Sequence, residues 1–127
     1  MDCRIDVYAA LGLEPGEAHV IRNAGGLVTD DVVRSLAISQ WCLGTSIVLV
    51  VQHTGCGLIG LDGDELARRI MEESGVAPDM AFLGFDDLEG SLRDGLARLR
   101  AHPMLRHRDG IQGLIFDVET GRLREVA

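Results

Sequence analysis

Apolar positions set the first outline of the chain. Val33, Leu36, Ala37, Gln40 and Trp41 fall at near-helical steps, so a helix is predicted to start at Thr29 or Asp30 and to stop at Gly44; Asp30 and Asp31 suit the positive end of its dipole. Ile47–Val51 is a short continuous apolar run dominated by β-branched residues, the mark of a buried strand. Leu66, Ala67, Ile70 and Met71 line one face of a second helix over 64–74, closed by Gly75. Leu88, Leu92, Leu96 and Leu99 mark a third, opened by a capping-box-like pair, Asp86 and Glu89, and barred from continuing by Pro103. Residues 111–118 and 123–126 read as strands around the Glu119-Thr120-Gly121 turn. Upstream, Ala18, Val20 and Ile21 suggest a short strand over 17–22 that runs into a glycine-rich loop, Asn23-Ala24-Gly25-Gly26.

This alternation predicts an α/β fold, a mainly parallel sheet flanked by helices with a C-terminal antiparallel hairpin. The opening residues fit it less well. A short helical stretch from about Asp6 to Leu13 comes first, where a βα unit should already have delivered a strand. The first strand is therefore expected to be missing.

Composition narrows the class. A chain of 127 residues with 46% apolar content suits one domain spanning 1–127. Its net charge is −8 and all 12 basic residues are arginines, which argues against a nucleic acid or an anionic membrane as partner. No apolar run approaches the ~20 residues of a spanning helix, and the first six residues lack the apolar stretch of a secretory signal. Three cysteines, Cys3, Cys42 and Cys56, form an odd, sparse set better suited to a reducing compartment than to a disulfide framework. A cytoplasmic location is expected.

Two groups of residues carry candidate chemistry. His53 and Cys56 lie in a glycine-containing turn just past the predicted strand 47–51, at the carboxyl end where open α/β sheets place their sites. An imidazole and a thiolate three positions apart can share one tetrahedral zinc ion, and the same pair can equally be a turn histidine beside a small buried cysteine. At the other end Asp2 and Arg4 alternate, so in an extended segment they project to one side, either as an oriented, ionised dyad or as an ordinary surface ion pair.

Three segments in order, Met1 to Asp6, His19 to Gly26 and His53 to Gly57, resemble the signature segments of the β-class carbonic anhydrases, and the later helices and hairpin resemble the short bacterial members. The resemblance implies zinc-dependent reversible hydration of carbon dioxide to bicarbonate. It further implies a zinc ion (Zn2+) held by two cysteines and one histidine, with water or hydroxide in the fourth position. His53 and Cys56 match two of these ligands. Asp2 and Arg4 match a catalytic dyad in which the carboxylate accepts a hydrogen bond from the attacking hydroxide and the arginine keeps it ionised. The remaining ligand in that family is the cysteine of a Cys-x-Asp-x-Arg motif, which aligns immediately before Met1. Cys3 falls on the variable position between Asp2 and Arg4 and is not taken as a ligand. Met1 is accordingly read as an internal methionine of a longer chain, and the 127 residues alone are expected to fold poorly or to associate.

The family further implies a homodimer or a higher homo-oligomer. His19, His102 and His107 are left outside the site, and Arg22 to Gly26 are expected to shape the pocket. Three alternatives stay open: a related zinc hydrolase of carbonyl sulfide or carbon disulfide, a non-catalytic, zinc-free relative serving as a binding module, and a generic α/β domain.

Overall fold

The computed structural model describes residues 1–127. Its elements are α1 (Val7–Leu11), a 3-10 turn (Ala24–Gly26), α2 (Asp30–Leu43), β1 (Val48–His53), α3 (Gly63–Ser74), α4 (Leu88–Ala101), β2 (Ile111–Phe116) and β3 (Leu123–Glu125). The fold is α/β. β1 and β2 pair in parallel from Val48 with Ile111 to His53 with Phe116, and β3 returns antiparallel to β2 from Leu123 to Glu125. The strand order β1-β2-β3 leaves β1 as an edge strand.

Side chains alternate across a strand, so Val48, Val50 and Gln52 share one face with Ile111, Gly113 and Ile115. That face receives α4. Leu92, Leu96 and Leu99 lie four and three positions apart, are fully buried, and pack with Val33 of α2 and with Val48, Ile111 and Ile115 of the sheet. Gly113 makes the close approach possible, since a Cβ there would lie 2.5 Å from Leu96 Cδ1.

Helix ends follow local chemistry. The Thr29 side chain accepts from Val32 N–H at the start of α2, and Gly44 takes the left-handed conformation that ends it. Asp62 caps α3 by accepting from the N–H groups of Asp64 and Glu65.

Four expectations require correction. Residues 17–22 form no strand: no neighbouring ladder takes up their backbone groups, and Val20 and Ile21 remain exposed. β1 runs two residues further than the apolar run, because Gln52 and His53 are polar yet buried and continue the ladder. The cap of α4 is Asp87 rather than Asp86, and its side chain makes no capping hydrogen bond. The terminal strands are shorter than 111–118 and 123–126; Asp117 still donates its N–H to Arg122 O, but its carboxylate accepts from the N–H groups of Glu119 and Thr120 and so starts the turn. No helix is long and apolar enough to cross a membrane.

Candidate metal centre and carboxylate dyad

The carboxyl end of β1 delivers His53 as its last residue and Cys56 in the turn that follows. Both are buried, at 8% and 9% exposure. Thr54 fastens this turn to β2: its N–H donates to Phe116 O (3.0 Å) and its hydroxyl accepts from Val118 N–H (3.1 Å). The Thr54 carbonyl in turn meets His53 Nδ1 at 2.8 Å. A carbonyl only accepts, so Nδ1 carries a proton, which leaves Nε2 as the ring nitrogen that can turn a lone pair to the site. Leu58 N–H points at Cys56 Sγ (3.5 Å), a contact suited to a sulfur bearing negative charge.

Asp2 and Arg4 come together, though by another route than strand alternation. Residues 1–6 bend in a turn with Ile5 N–H directed at Asp2 O (3.3 Å). Arg4 wraps back onto the Asp2 carboxylate through Nε to Oδ1 (2.9 Å) and Nη2 to Oδ2 (2.7 Å), and its backbone N–H also reaches Oδ1 (2.8 Å). These hydrogen bonds hold the Asp2 carboxyl well below the usual carboxylate range and raise the guanidinium above its own. Arg4 Nη2 continues to Gly55 O (3.1 Å), which ties the dyad to the turn between His53 and Cys56.

The two groups meet at one point. Asp2 Oδ2 lies 3.6 Å from His53 Nε2. A carboxylate oxygen facing an imidazole nitrogen at this distance is satisfied by a cation between or beside them, a proton on Nε2 or a metal ion that takes the Nε2 lone pair. Nitrogen and thiolate donors suit zinc, and His53 and Cys56 provide one of each. No group of three His, Cys, Asp or Glu side chains stands close enough to complete a metal site from this chain's residues. Cys3 is exposed.

The other histidines are elsewhere. His102 and His107 lie between α4 and the start of β2, at the amino end of the strands. His19 Nδ1 bonds Ser39 Oγ (2.7 Å), which bonds Thr45 Oγ1 (2.7 Å) just ahead of β1, also away from the carboxyl end. Arg22, by contrast, reaches the dyad segment through the carbonyls of Asp2 and Ile5. Its partners are main-chain oxygens, which leave no pattern in a sequence; its place beside the glycine-rich loop was the one available signal.

An imidazole, a thiol and a paired carboxylate thus gather at the carboxyl end of one strand of an α/β sheet, and comparison with known proteins identifies the family. The family model for carbonic anhydrase matches residues 1–78. The chain is 45% identical over 126 residues to beta-carbonic anhydrase 1 of Mycobacterium tuberculosis, covering 99% of this chain and 77% of that protein. It is 33% identical over 150 aligned positions to the carbon disulfide hydrolase of an Acidianus species, with 98% and 73% covered. The crystal structure of carbonic anhydrase from Streptococcus mutans superposes with a TM-score of 0.94 at 46% identity, covering 100% of this chain and 77% of that one. The chain belongs to the β-carbonic anhydrase family.

Proposed function

We propose that this protein catalyses the reversible hydration of carbon dioxide to bicarbonate, with His53 and Cys56 as metal ligands and Asp2 and Arg4 as the catalytic dyad. The single observation that carries the site assignment is the 3.6 Å approach of Asp2 Oδ2 to His53 Nε2, with Arg4 bound to both carboxylate oxygens. His53 Nε2 and Cys56 Sγ would hold zinc, which when bound lowers the pKa of water to about 7 and so supplies hydroxide near neutral pH.

The chain's own residues do the rest. Thr54 O fixes the tautomer of His53 and aims Nε2. Arg4 keeps Asp2 ionised and occupies one acceptor direction of Oδ2, leaving another lone pair to accept the O–H of the attacking oxygen. That hydrogen bond turns the nucleophile's own lone pair toward carbon dioxide. In this arrangement Asp2 is committed to Arg4 and serves as acceptor.

Residues 1–127 act as one cytoplasmic domain in this reading, consistent with three free cysteines. A homo-oligomer is supported by the surface. The chain exposes 8093 Å², whereas a compact monomer of this mass exposes roughly 6600 Å². The excess, about 1500 Å², is nearly twice the roughly 800 Å² that one partner buries in a standard interface, and Ile38, Trp41, Leu43, Ile47 and Leu49 are among the large apolar side chains left exposed.

Hydrolysis of carbon disulfide is the second reading. The Acidianus alignment runs over 150 positions although this chain has 127 residues, so that relative carries insertions absent here, whereas the Mycobacterium alignment needs only 126 positions. This favours carbon dioxide. Stopped-flow hydration with a pH indicator on zinc-supplemented protein tests it: hydration above the spontaneous rate, lost in Cys56→Ser, is the expected result. Absence of hydration together with release of hydrogen sulfide from carbon disulfide would move the assignment to the second reading.

A further inference from the structure

We infer that Arg22 is the positioning residue of the dyad: its guanidinium clasps the carbonyls of Asp2 and Ile5 and so sets the turn that brings the Asp2 carboxylate to His53. Nη2 donates to Asp2 O at 2.5 Å and Nη1 to Ile5 O at 3.1 Å. Residues 1–6 belong to no helix or strand, and the long Ile5 to Asp2 contact is their one internal main-chain hydrogen bond. Secondary structure therefore does not hold the segment in place. Beyond the Met1 nitrogen on Asn23 O and the Asp6 cap of α1, two arginines hold it, Arg22 gripping its backbone and Arg4 linking its carboxylate to Gly55 O.

The choice of partners sets Arg22 apart. Arg34, Arg68, Arg93, Arg98 and Arg124 each pair with a carboxylate and Arg100 donates to the single carbonyl of Ile111, whereas Arg22 makes no salt bridge and donates to two carbonyls. Its planar fork spans two carbonyls of one turn, a geometry the single ammonium of lysine cannot reproduce. Its own position is also fixed. The next residue, Asn23, closes the following loop with its side chain, accepting from Leu27 N–H (3.0 Å) and donating to Leu27 O (2.8 Å), and its carbonyl accepts from the Met1 nitrogen (2.7 Å). The Asn23 loop thus acts as the anchor, Arg22 as the arm and the Asp2–Ile5 turn as the load.

The inference rests on Asp2 as the acceptor proposed above, and its test has a readout independent of turnover. Arg22→Ala and Arg22→Lys are compared with the unaltered chain by NMR of the Arg4 Nε–H and backbone N–H, by amide protection across α4, and by kcat and KM for carbon dioxide. Arg22→Ala is expected to shift or broaden both Arg4 resonances, to leave α4 protection unchanged, and to lower kcat by about 10- to 100-fold with KM nearly constant; Arg22→Lys is expected to fall between. Unchanged Arg4 resonances in Arg22→Ala overturn the inference, as does loss of α4 protection, which would make Arg22 a general structural residue. If the unaltered chain does not hydrate carbon dioxide, the proposed function fails while the Arg4 resonances still decide the role of Arg22.

Discussion

The two faces of the sheet are built on different physics. Toward α4, Val48, Ile111 and Ile115 meet Leu92, Leu96 and Leu99, and nothing in that layer ionises. On the other face Leu49 is 39% exposed and Gln112 is exposed, and burial returns only at the carboxyl end, with His53 and Phe116. There the structure is held by directed bonds: His53 to Thr54 O, Arg4 to Asp2 and Gly55 O, and Arg22 to the Asp2–Ile5 turn. Stability is concentrated on the covered face and chemistry at one end of the open one, so mutations should separate the two.

The largest stability effect belongs to the covered face. Leu96→Ala deletes a fully buried side chain and should cost about 2–5 kcal/mol, read from the denaturant midpoint. Gly26→Ala probes the boundary. Gly26 has φ +58 and a Cβ there would lie 2.5 Å from Val51 O, so the substitution combines left-handed strain of about 1–2 kcal/mol with a backbone clash beside β1. If it costs nothing, the loop is not packed on β1 and the boundary lies elsewhere. Asp2→Asn inverts the pattern: it should lower kcat/KM by roughly 10²- to 10⁴-fold while leaving the denaturation midpoint nearly unchanged. A large loss of stability would instead make the dyad a structural clasp.

The smallest effect is acid dependence outside the core. The N–H groups of Thr120 and Glu119 lower the Asp117 pKa, and Arg124, followed by Arg93, lowers that of Glu89. A carboxyl whose folded pKa is depressed stabilises the fold above its ordinary range and loses that contribution as the pH falls through the depressed value. Urea midpoints should therefore decline on acidification, and Asp117→Asn should flatten the decline. An unchanged acid limb in that variant would place the sensitivity elsewhere.

Legibility from sequence followed the same division. The leucine steps of α4 were readable because burial alone fixes them, and so were the helix stops at Gly44 and Gly75. The apolar pattern ends β1 two residues short because Gln52 and His53 look like loop residues; both are buried, with Gln52 Nε2 donating to Ser91 Oγ and His53 bonded to Thr54 O. The segment 17–22 has strand-like composition without a ladder to join. The i, i+2 spacing of Asp2 and Arg4 places them on one side of an extended segment, whereas the structure brings them together through a turn. Arg22 is legible as a residue near the pocket, but its grip on Asp2 O and Ile5 O is not, because a carbonyl partner can belong to any residue type.

The most direct test of the central claim is zinc content per chain in the unaltered protein and in Cys56→Ser, prepared side by side after zinc supplementation. With only two of the family's three protein ligands, His53 and Cys56, among these residues, the account predicts loosely held zinc in the unaltered chain and clearly less in the variant. Zinc content unaffected by Cys56→Ser would contradict it.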